Sequence, residues 1–194
     1  MNIFKMKNKI LLLVCFAILY SCKEEAYYPK PYGFERIGFP KDKDYKEYNK
    51  DCPFTFEYPY YCQVVDKDRC HQDIHFPKYK ATLHVSNIEL GNTNKNNLFY
   101  HSEYSRKLAY EHRIKADFIN ETIFANDSSK VYGVVYEIEG NVACNYQFYL
   151  TDSVSNFYRG ALYFNTSPNI DSIRPVLEFL KEDFSHLIET FDWK

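Results

Sequence analysis

The sequence lacks a basic excess, a second long apolar run and the common catalytic signatures. Its 24 Lys and Arg residues stand against 26 Asp and Glu, and a mildly acidic protein without a basic stripe is a poor nucleic-acid binder. Beyond residue 20, no apolar run approaches the roughly 20 residues of a membrane-spanning helix. No Gly-x-Ser-x-Gly elbow, phosphate-binding loop, Gly-x-Gly-x-x-Gly or His-Glu-x-x-His motif is present. These absences argue against nucleic-acid binding, a later membrane span and a familiar enzyme class.

The first 22 residues have the organisation of a bacterial lipoprotein leader. Met1 to Lys9 is basic, and Ile10 to Tyr20 is an apolar run of eleven residues, within the roughly 7–15 of a signal-peptide core. Leu19-Tyr20-Ser21-Cys22 then places a small residue before a cysteine. We predict a signal peptide over residues 1–21 and lipidation of Cys22, palmitate included, which anchors the chain to the membrane. The alternative is ordinary secretion with Cys22 as a plain thiol.

The mature chain is predicted to be a tether followed by one domain. Removing residues 1–21 from the 194-residue chain leaves 173 residues, enough for one ordinary domain and a tail. Residues 22–50 are polar and rich in Pro and Tyr, and proline favours extended segments. We therefore predict a semi-rigid tether over 22–50 and a single α+β globular domain over 51–194.

The domain contains two kinds of periodic segment. Apolar and polar residues alternate as in β-strands over 54–58, 81–85, 131–139, 142–150 and 157–165. Helical periodicity predicts a first helix over Leu98 to Ala116 and a last helix with Ser172 as its N-cap and Pro175 in its first turn. Short joins make neighbouring strands antiparallel. The prediction is an α+β fold, an antiparallel sheet flanked by two helices, which resembles the PsbP/Mog1-like arrangement.

Four cysteines besides Cys22 lie in the mature chain and allow three disulfide connectivities. Because an exported protein meets an oxidising space, we favour Cys52 with Cys70, and Cys62 with Cys144 as the second pair. The first pair closes a loop of about 19 residues, worth about 3 kcal/mol. A zinc site at Cys62, Cys70, His71 and His75 is the rival interpretation, but the ordered Cys-x-x-Cys spacing is absent. No metal or cofactor is expected.

One helical face carries residues that could support nucleophilic chemistry. His101, Ser105 and His112 share a side of the first helix, and Asp117 follows shortly after. A serine one turn from a histidine is usually packed and hydrogen-bonded, whereas a nucleophile needs a base oriented by a third group. We therefore predict that the protein is not an enzyme and has no catalytic residues. An unrecognised hydrolase would need a Ser–His contact in a cleft.

From Pro29 to Lys194 the chain resembles the gliding motility lipoprotein D family, GldD. The shared marks run in order along nearly the whole mature chain: Pro29-Lys30-Pro31, Phe39-Pro40, Cys52-Pro53, Phe76 to Ala81, Lys107 to His112, Lys115-Ala116-Asp117, Val131-Tyr132-Gly133, Gly140-Asn141, Thr151-Asp152-Ser153, Arg159-Gly160, Pro168-Asn169, Asp171-Ser172-Ile173 and Trp193-Lys194. Cys62 and Cys144 depart from the family pattern. The resemblance implies an envelope lipoprotein needed for gliding and linked to type IX secretion, without enzymatic activity or cofactor.

The functional hypothesis follows from the anchor, the tether and the resemblance. We predict a non-catalytic envelope lipoprotein that supports assembly of the motility and type IX secretion machinery. Its expected partners are the membrane, through the N-terminal lipid, and envelope proteins of that machinery, but no nucleic acid. The expected location is the outer membrane, with the periplasmic and surface faces both open. The alternative, suggested by 19 Tyr and 16 Phe, is a surface-exposed module that binds glycan or peptide.

Overall fold

Alternating apolar residues build a large antiparallel sheet in the middle of the protein. The structure, a computed structural model, describes residues 37–194. These residues form an α+β fold, as predicted, with two antiparallel sheets and two α-helices. Their elements, in chain order, are β1 (Tyr45–Tyr48), β2 (Phe54–Pro59), β3 (Gln63–Asp66), β4 (Gln72–Phe76), β5 (Ala81–Glu89), α1 (Leu98–Tyr110), β6 (Ala116–Asn126), β7 (Val131–Gly140), β8 (Tyr146–Thr151), β9 (Asn156–Phe164), α2 (Ile170–Glu189) and β10 (Asp192–Trp193).

Short connections set the order of the strands. The larger sheet has seven strands in the order β3-β4-β5-β9-β8-β7-β6, and the smaller has three in the order β1-β2-β10. The turn between β8 and β9 is held by Asp152, whose Oδ1 accepts backbone N–H bonds from Val154, Ser155 and Asn156 at 2.8–2.9 Å. The sequence predicts one sheet, so the second is an addition. The PsbP/Mog1-like likeness stays a prediction.

Helix α2 covers one face of the larger sheet and supplies much of the core. Its buried apolar residues recur at helical spacing, as the sequence predicts: Ile173, Val176, Leu177, Leu180, Phe184, Leu187 and Ile188. They pack with sheet residues such as Leu83, Phe148 and Leu162, all fully buried. The apolar face of the helix therefore fixes it against the sheet. Neither described helix is long and apolar enough to cross a membrane.

The start of α2 differs from the prediction. The N-cap is Asn169 rather than Ser172, and the first helical residue is Ile170. The backbone N–H of Ile170 donates to Asn141 Oδ1 at 2.7 Å, so a side chain from the β7–β8 connection satisfies a helix-terminal donor that has no partner within the helix. Pro175 consequently lies in the second turn of the helix, not the first.

Helix α1 covers part of the opposite sheet face but is shorter than predicted. It begins after Asn97, whose Oδ1 accepts the Tyr100 N–H at 2.8 Å, and it ends at Tyr110. A 3₁₀ turn over Glu111–Ile114 follows, and β6 begins at Ala116. The predicted helix to Ala116 is wrong, since Glu111–Ile114 form the 3₁₀ turn and Ala116 pairs with Gly140 of β7.

The strand predicted over 142–150 also begins later than expected. Residues 142–145 form a connection, and β8 starts at Tyr146. The buried Asn145 holds this connection, since its Nδ2 donates to the carbonyls of Ile138 at 2.8 Å and Gly140 at 3.1 Å. The side-chain amide thus provides hydrogen bonds to backbone carbonyls at the end of β7, where β8 does not pair with them.

The packed domain extends beyond its predicted boundary at residue 51. Strand β1 lies within the segment predicted as tether, yet it pairs antiparallel with β2. Phe39 stacks on Phe179 of α2 with ring centroids 4.5 Å apart. Residues 37–48, here called the N-terminal segment, therefore pack against the domain. Burial of their aromatic rings accounts for this, because each ring removes a large apolar area from water.

Candidate functional site

The structure joins Cys52 to Cys70, the pair that the sequence favours. Their Cα atoms lie 5.8 Å apart, within the usual range for a disulfide. Cys52 precedes β2 of the smaller sheet, and Cys70 precedes β4 of the larger one. The bond therefore connects the segment between β1 and β2 of the smaller sheet to the turn between β3 and β4 of the larger one. Arg69 and Cys70 both have positive φ, near 58° and 59°.

The second disulfide pair of the sequence analysis is not formed. Cys62 and Cys144 are buried free thiols. Cys62 lies between β2 and β3 in the main core, whereas Cys144 lies in the β7–β8 connection and donates to the Tyr146 carbonyl at 3.4 Å. The pairing is wrong because the topology places the two thiols in separate packing environments. Burial raises the pKa of each thiol to about 12, so both stay protonated near neutral pH.

The four residues considered for zinc have other partners. Cys70 is committed to the disulfide, and Cys62 is buried in the core. His71 Nδ1 accepts the Asn87 backbone N–H at 3.0 Å, and His75 Nδ1 lies 3.0 Å from Thr82 Oγ1. Within residues 37–194, no three His, Cys, Asp or Glu residues are grouped as metal ligands.

The residues considered for nucleophilic chemistry do not form a catalytic set. Ser105 Oγ donates to the backbone carbonyl of His101 at 2.8 Å, not to a histidine ring. His101 Nε2 lies 3.0 Å from Asn96 Oδ1. Burial lowers the pKa of both His101 and His112, while Asp117 is exposed. Among the described residues, Ser105 therefore bonds to the backbone of its own helix and His101 to the loop before it.

A large cavity of the described residues lies beside the disulfide. It has a volume of about 860 Å³, and its walls include Cys70, His71, Asn87 and Asn156. A ligand pocket of this size is usually lined mainly by apolar and aromatic groups with a few polar ones. Here no Phe, Tyr or Trp contributes to the wall. The cavity therefore lacks the stacking surface that a glycan site needs, although its size suits a small molecule.

The best-defined polar cluster surrounds Asp183 on the buried side of α2. Its side chain has no exposed surface, and its Oδ1 lies 3.0 Å from the Lys43 ammonium. Tyr45 donates to Oδ1 at 3.1 Å, and Tyr61 donates to Oδ2. Burial first, and then the neighbouring carboxylate, raise the pKa of both phenols above the usual range. The phenols thus stay neutral donors, as a buried carboxylate requires.

This cluster fastens the N-terminal segment to α2. Lys43 also donates to the carbonyl of Phe179 at 2.9 Å and lies over its ring, 4.2 Å from the centroid. One turn farther along α2, the His186 ring stacks on Tyr45 with centroids 3.6 Å apart, and its Nε2 lies 2.6 Å from Glu57 Oε2. The cluster links three parts of the chain. Its chemistry is that of attachment, since each donor and acceptor is already paired within the protein.

Many aromatic side chains lie in the core, and a group of exposed ones lies on one helix surface. Trp193 packs edge-on to Phe191 at 4.7 Å and belongs to the core. Phe99 is 75% exposed on α1, with Tyr100 and Tyr104 stacked beside it on the same helix. These rings lie on a convex helix surface and line none of the cavities described for residues 37–194. Their arrangement suits contact with another protein.

Two comparisons bear on what this molecule does. A family model described as gliding motility lipoprotein GldD matches residues 24–193, which include every strand and helix from β1 to β10. A search of curated proteins finds no match. The predicted lipidation residue, Cys22, lies outside both the described and the matched residues.

Proposed function

The chain belongs to the gliding motility lipoprotein GldD family, and from this premise we propose that it acts in gliding as a non-catalytic, lipid-anchored envelope component. Its work is to hold partner proteins of the motility and type IX secretion machinery during assembly. The observation that carries this proposal is the family match over nearly the whole mature chain. The anchor is the lipid on Cys22, and the membrane is the outer one.

The contacts of the N-terminal segment support a role in holding. A tether that leads into residues 37–48 reaches a segment bound to α2 by Lys43, Tyr45 and Phe39. The chain therefore passes from its predicted anchor into the core without a free hinge among the described residues. That arrangement suits a protein that works by contact.

The polar chemistry of the described residues gives no support to catalysis. The serine and histidines of α1 bond to backbone or amide groups, and the Asp183 cluster is internally satisfied. The 860 Å³ cavity has no aromatic wall for a sugar ring. We therefore prefer the contact function to the hydrolase and glycan-binding alternatives.

Complementation in the native bacterium tests the proposal. A deletion strain receives the wild-type chain, Cys22→Ala, or the matched leader variant Cys15→Ala. We expect Cys22→Ala to lose the acyl mass and the membrane association, and to abolish colony spreading, because one attachment point holds the protein at its site. Cys15→Ala should spread normally. Normal spreading with unlipidated Cys22→Ala protein would contradict the proposed anchor.

Two further readouts separate the parts of the proposal. Asp117→Ala and His112→Ala should leave spreading intact wherever the variant protein accumulates normally, since neither residue has a catalytic role. Loss of spreading in a stable, abundant Asp117→Ala protein would contradict the non-catalytic part. Export of type IX cargo should fail together with spreading in the deletion strain. Normal export in non-spreading cells would remove the secretion part and leave a role in gliding alone.

A further inference from the structure

Strand β6 is the long open edge of the larger sheet. It has eleven residues and pairs on one side with β7, and no strand among residues 37–194 pairs with its other side. The opposite edge, β3, has four residues. An edge strand presents a row of unpaired N–H and C=O groups that can pair with another chain. The described part of the molecule therefore carries one extended backbone surface suited to a further strand.

This edge has few of the features that normally prevent strand pairing. Short length, lysine, proline and bulges are the usual means. Residues 116–126 contain no Lys, Arg or Pro, and the register is irregular only between Ala116 and Phe118. Ile123 is 81% exposed and Phe118 is 62% exposed. A long, regular and apolar edge is a liability unless another segment uses it.

A groove runs between β6 and the C-terminal half of α2. Its volume is about 190 Å³, and its apolar walls are Phe124, Val135, Tyr146 and Ile188, with Ser185 on the helix side. A strand added to β6 would point alternate side chains to this face of the sheet. An edge strand beside a helix is the arrangement by which several peptide-binding domains add a strand and read its side chains.

The charges around the groove indicate what kind of segment fits. Glu137 and Glu189 line it, and no Lys, Arg or His does, although the Lys181 ammonium lies 3.6 Å from Glu137 Oε1. Asp117 and Glu121 add two further acids on β6 itself, although Arg106 lies 3.5 Å from Glu121. A second copy of β6 would bring acidic strands together, which is unfavourable. A segment with lysine or arginine is complementary.

We propose that β6 binds an extended segment of a partner protein by strand addition. The segment pairs its backbone with the outer side of β6, places alternate apolar side chains in the groove, and carries Lys or Arg opposite Glu189. The inference deepens the proposed contact function and rests on it. Its test is made on purified protein, so that binding and spreading can fail independently.

The test uses the full-length lipidated protein in detergent micelles and a random peptide library displayed on phage. We expect the selected peptides to combine alternating apolar residues with Lys or Arg. Each synthetic peptide should slow amide hydrogen exchange of residues 118–125 by at least about tenfold, because new backbone bonds protect those groups. Replacing the basic residues of the peptide by Glu should weaken binding by about tenfold.

Two matched variants locate the site. Ser185→Trp places a bulky ring at the groove from an exposed helix position and should weaken peptide binding by at least about tenfold. Ser172 is exposed on the same helix but lies outside the groove, so Ser172→Trp should change binding by less than about twofold. Glu189→Lys should favour the Glu-substituted peptide. Both tryptophan variants keep the buried face of α2, so their folding is expected to be normal.

Several outcomes would overturn the inference. A selection that yields no enriched peptide, or only peptides that protect residues elsewhere, would exclude strand addition at β6. Slow exchange in the free protein at those amides of residues 118–125 that point away from β7 would show that the edge is already occupied. Sedimentation would then assign the occupant to a second copy if the protein is a dimer, or to residues 23–36 if it is a monomer. If cells with Ser185→Trp still spread while cells with Cys22→Ala do not, strand addition at β6 is not needed for gliding. The proposed role of the anchored protein in gliding would then stand without it.

Discussion

Replacing Asp183 by alanine is expected to lower the free energy of unfolding by about 3 kcal/mol. The carboxylate is fully buried on α2 and receives hydrogen bonds from Tyr45 and Tyr61. It is also the buried partner of Lys43, which comes from the N-terminal segment. The substitution therefore removes one acceptor shared by three donors from distant parts of the chain.

The size of the stability loss depends on which contacts the donors Lys43, Tyr45 and Tyr61 keep after the substitution. Removing one partner of a buried ion pair costs about 3–5 kcal/mol because an uncompensated charge remains. Lys43 is 17% exposed and keeps both Glu182 Oε2 and the Phe179 carbonyl at 2.9 Å. Those contacts place the cost at the lower end of the range. Tyr61→Phe removes only one hydrogen bond to a charged group and should cost about 1.5–3 kcal/mol.

Urea unfolding at neutral pH measures these differences, provided that the slope of the unfolding free energy with urea is unchanged. Glu182→Ala is the matched control. Its carboxylate lies 2.9 Å from the same lysine but is 73% exposed, so its loss should cost less than about 1 kcal/mol. The double variant Lys43→Met/Asp183→Leu should recover part of the loss, since apolar pairs can replace buried ion pairs.

The reasoning would be refuted by either of two results. Equal losses of unfolding free energy for Asp183→Ala and Glu182→Ala would show that burial of the carboxylate does not matter. The second result is a loss of less than about 1 kcal/mol for Asp183→Ala, the value of an exposed pair. In that case the N-terminal segment would be held by its aromatic packing, and Phe39 and Tyr45 would become the residues to change.

Three further expectations concern the backbone, the disulfide and acid. Under oxidising conditions, Cys52→Ser/Cys70→Ser should have a free energy of unfolding about 3 kcal/mol below that of the wild type. In reductant the two proteins should be equally stable, and a variant that is equally destabilised in both conditions would contradict this expectation. Gly133→Ala should cost at least about 2 kcal/mol in the same assay, since the new Cβ would lie 2.0 Å from the Tyr149 carbonyl oxygen, and wild-type stability would contradict it. Burial opposes the ionised form of Asp152, but hydrogen bonds from the β8–β9 turn outweigh it and lower its pKa. The ionised carboxylate therefore stabilises the fold above the unfolded pKa of about 3.9, and this stabilisation is lost as pH falls through the folded pKa. Asp152→Asn should accordingly lower the free energy of unfolding by about 1–2 kcal/mol at pH 7 and by almost nothing at pH 2. The same loss at both pH values would contradict this expectation.

The sequence predicts those elements whose burial is periodic. Helix α2 has a continuous apolar stripe, and β7 and β9 alternate between a core face and a second face. Strand β6 has no such pattern, because both of its faces are largely exposed at the sheet edge. Its strand conformation comes from pairing with β7, a long-range interaction that local periodicity does not contain. This is also why α1 was predicted to continue to Ala116.

The Asp183 cluster lay beyond sequence reasoning for a related cause. An aspartate within a helix is ordinarily read as part of its exposed face, and its partner Lys43 lies 140 positions earlier in the chain. The one available signal was its spacing: Asp183 falls between Leu180 and Leu187 on the apolar stripe. By contrast, the Cys52–Cys70 bond closes a short loop, and short loops are favoured by chain statistics alone.

The disulfide also decides how the molecule responds to force. Tension applied upstream of Ile37 would first load the Lys43–Asp183 pair and the β1–β2 ladder. If these yield, the covalent bond between Cys52 and Cys70 takes the strain and keeps the intervening residues out of the stretch. The chain is then shorter at full extension by about 60 Å. A protein pulled by a moving cell surface would thus release its N-terminal segment first, and the disulfide would then pass the load to Cys70, ahead of β4, without stretching β2 and β3 between the two cysteines.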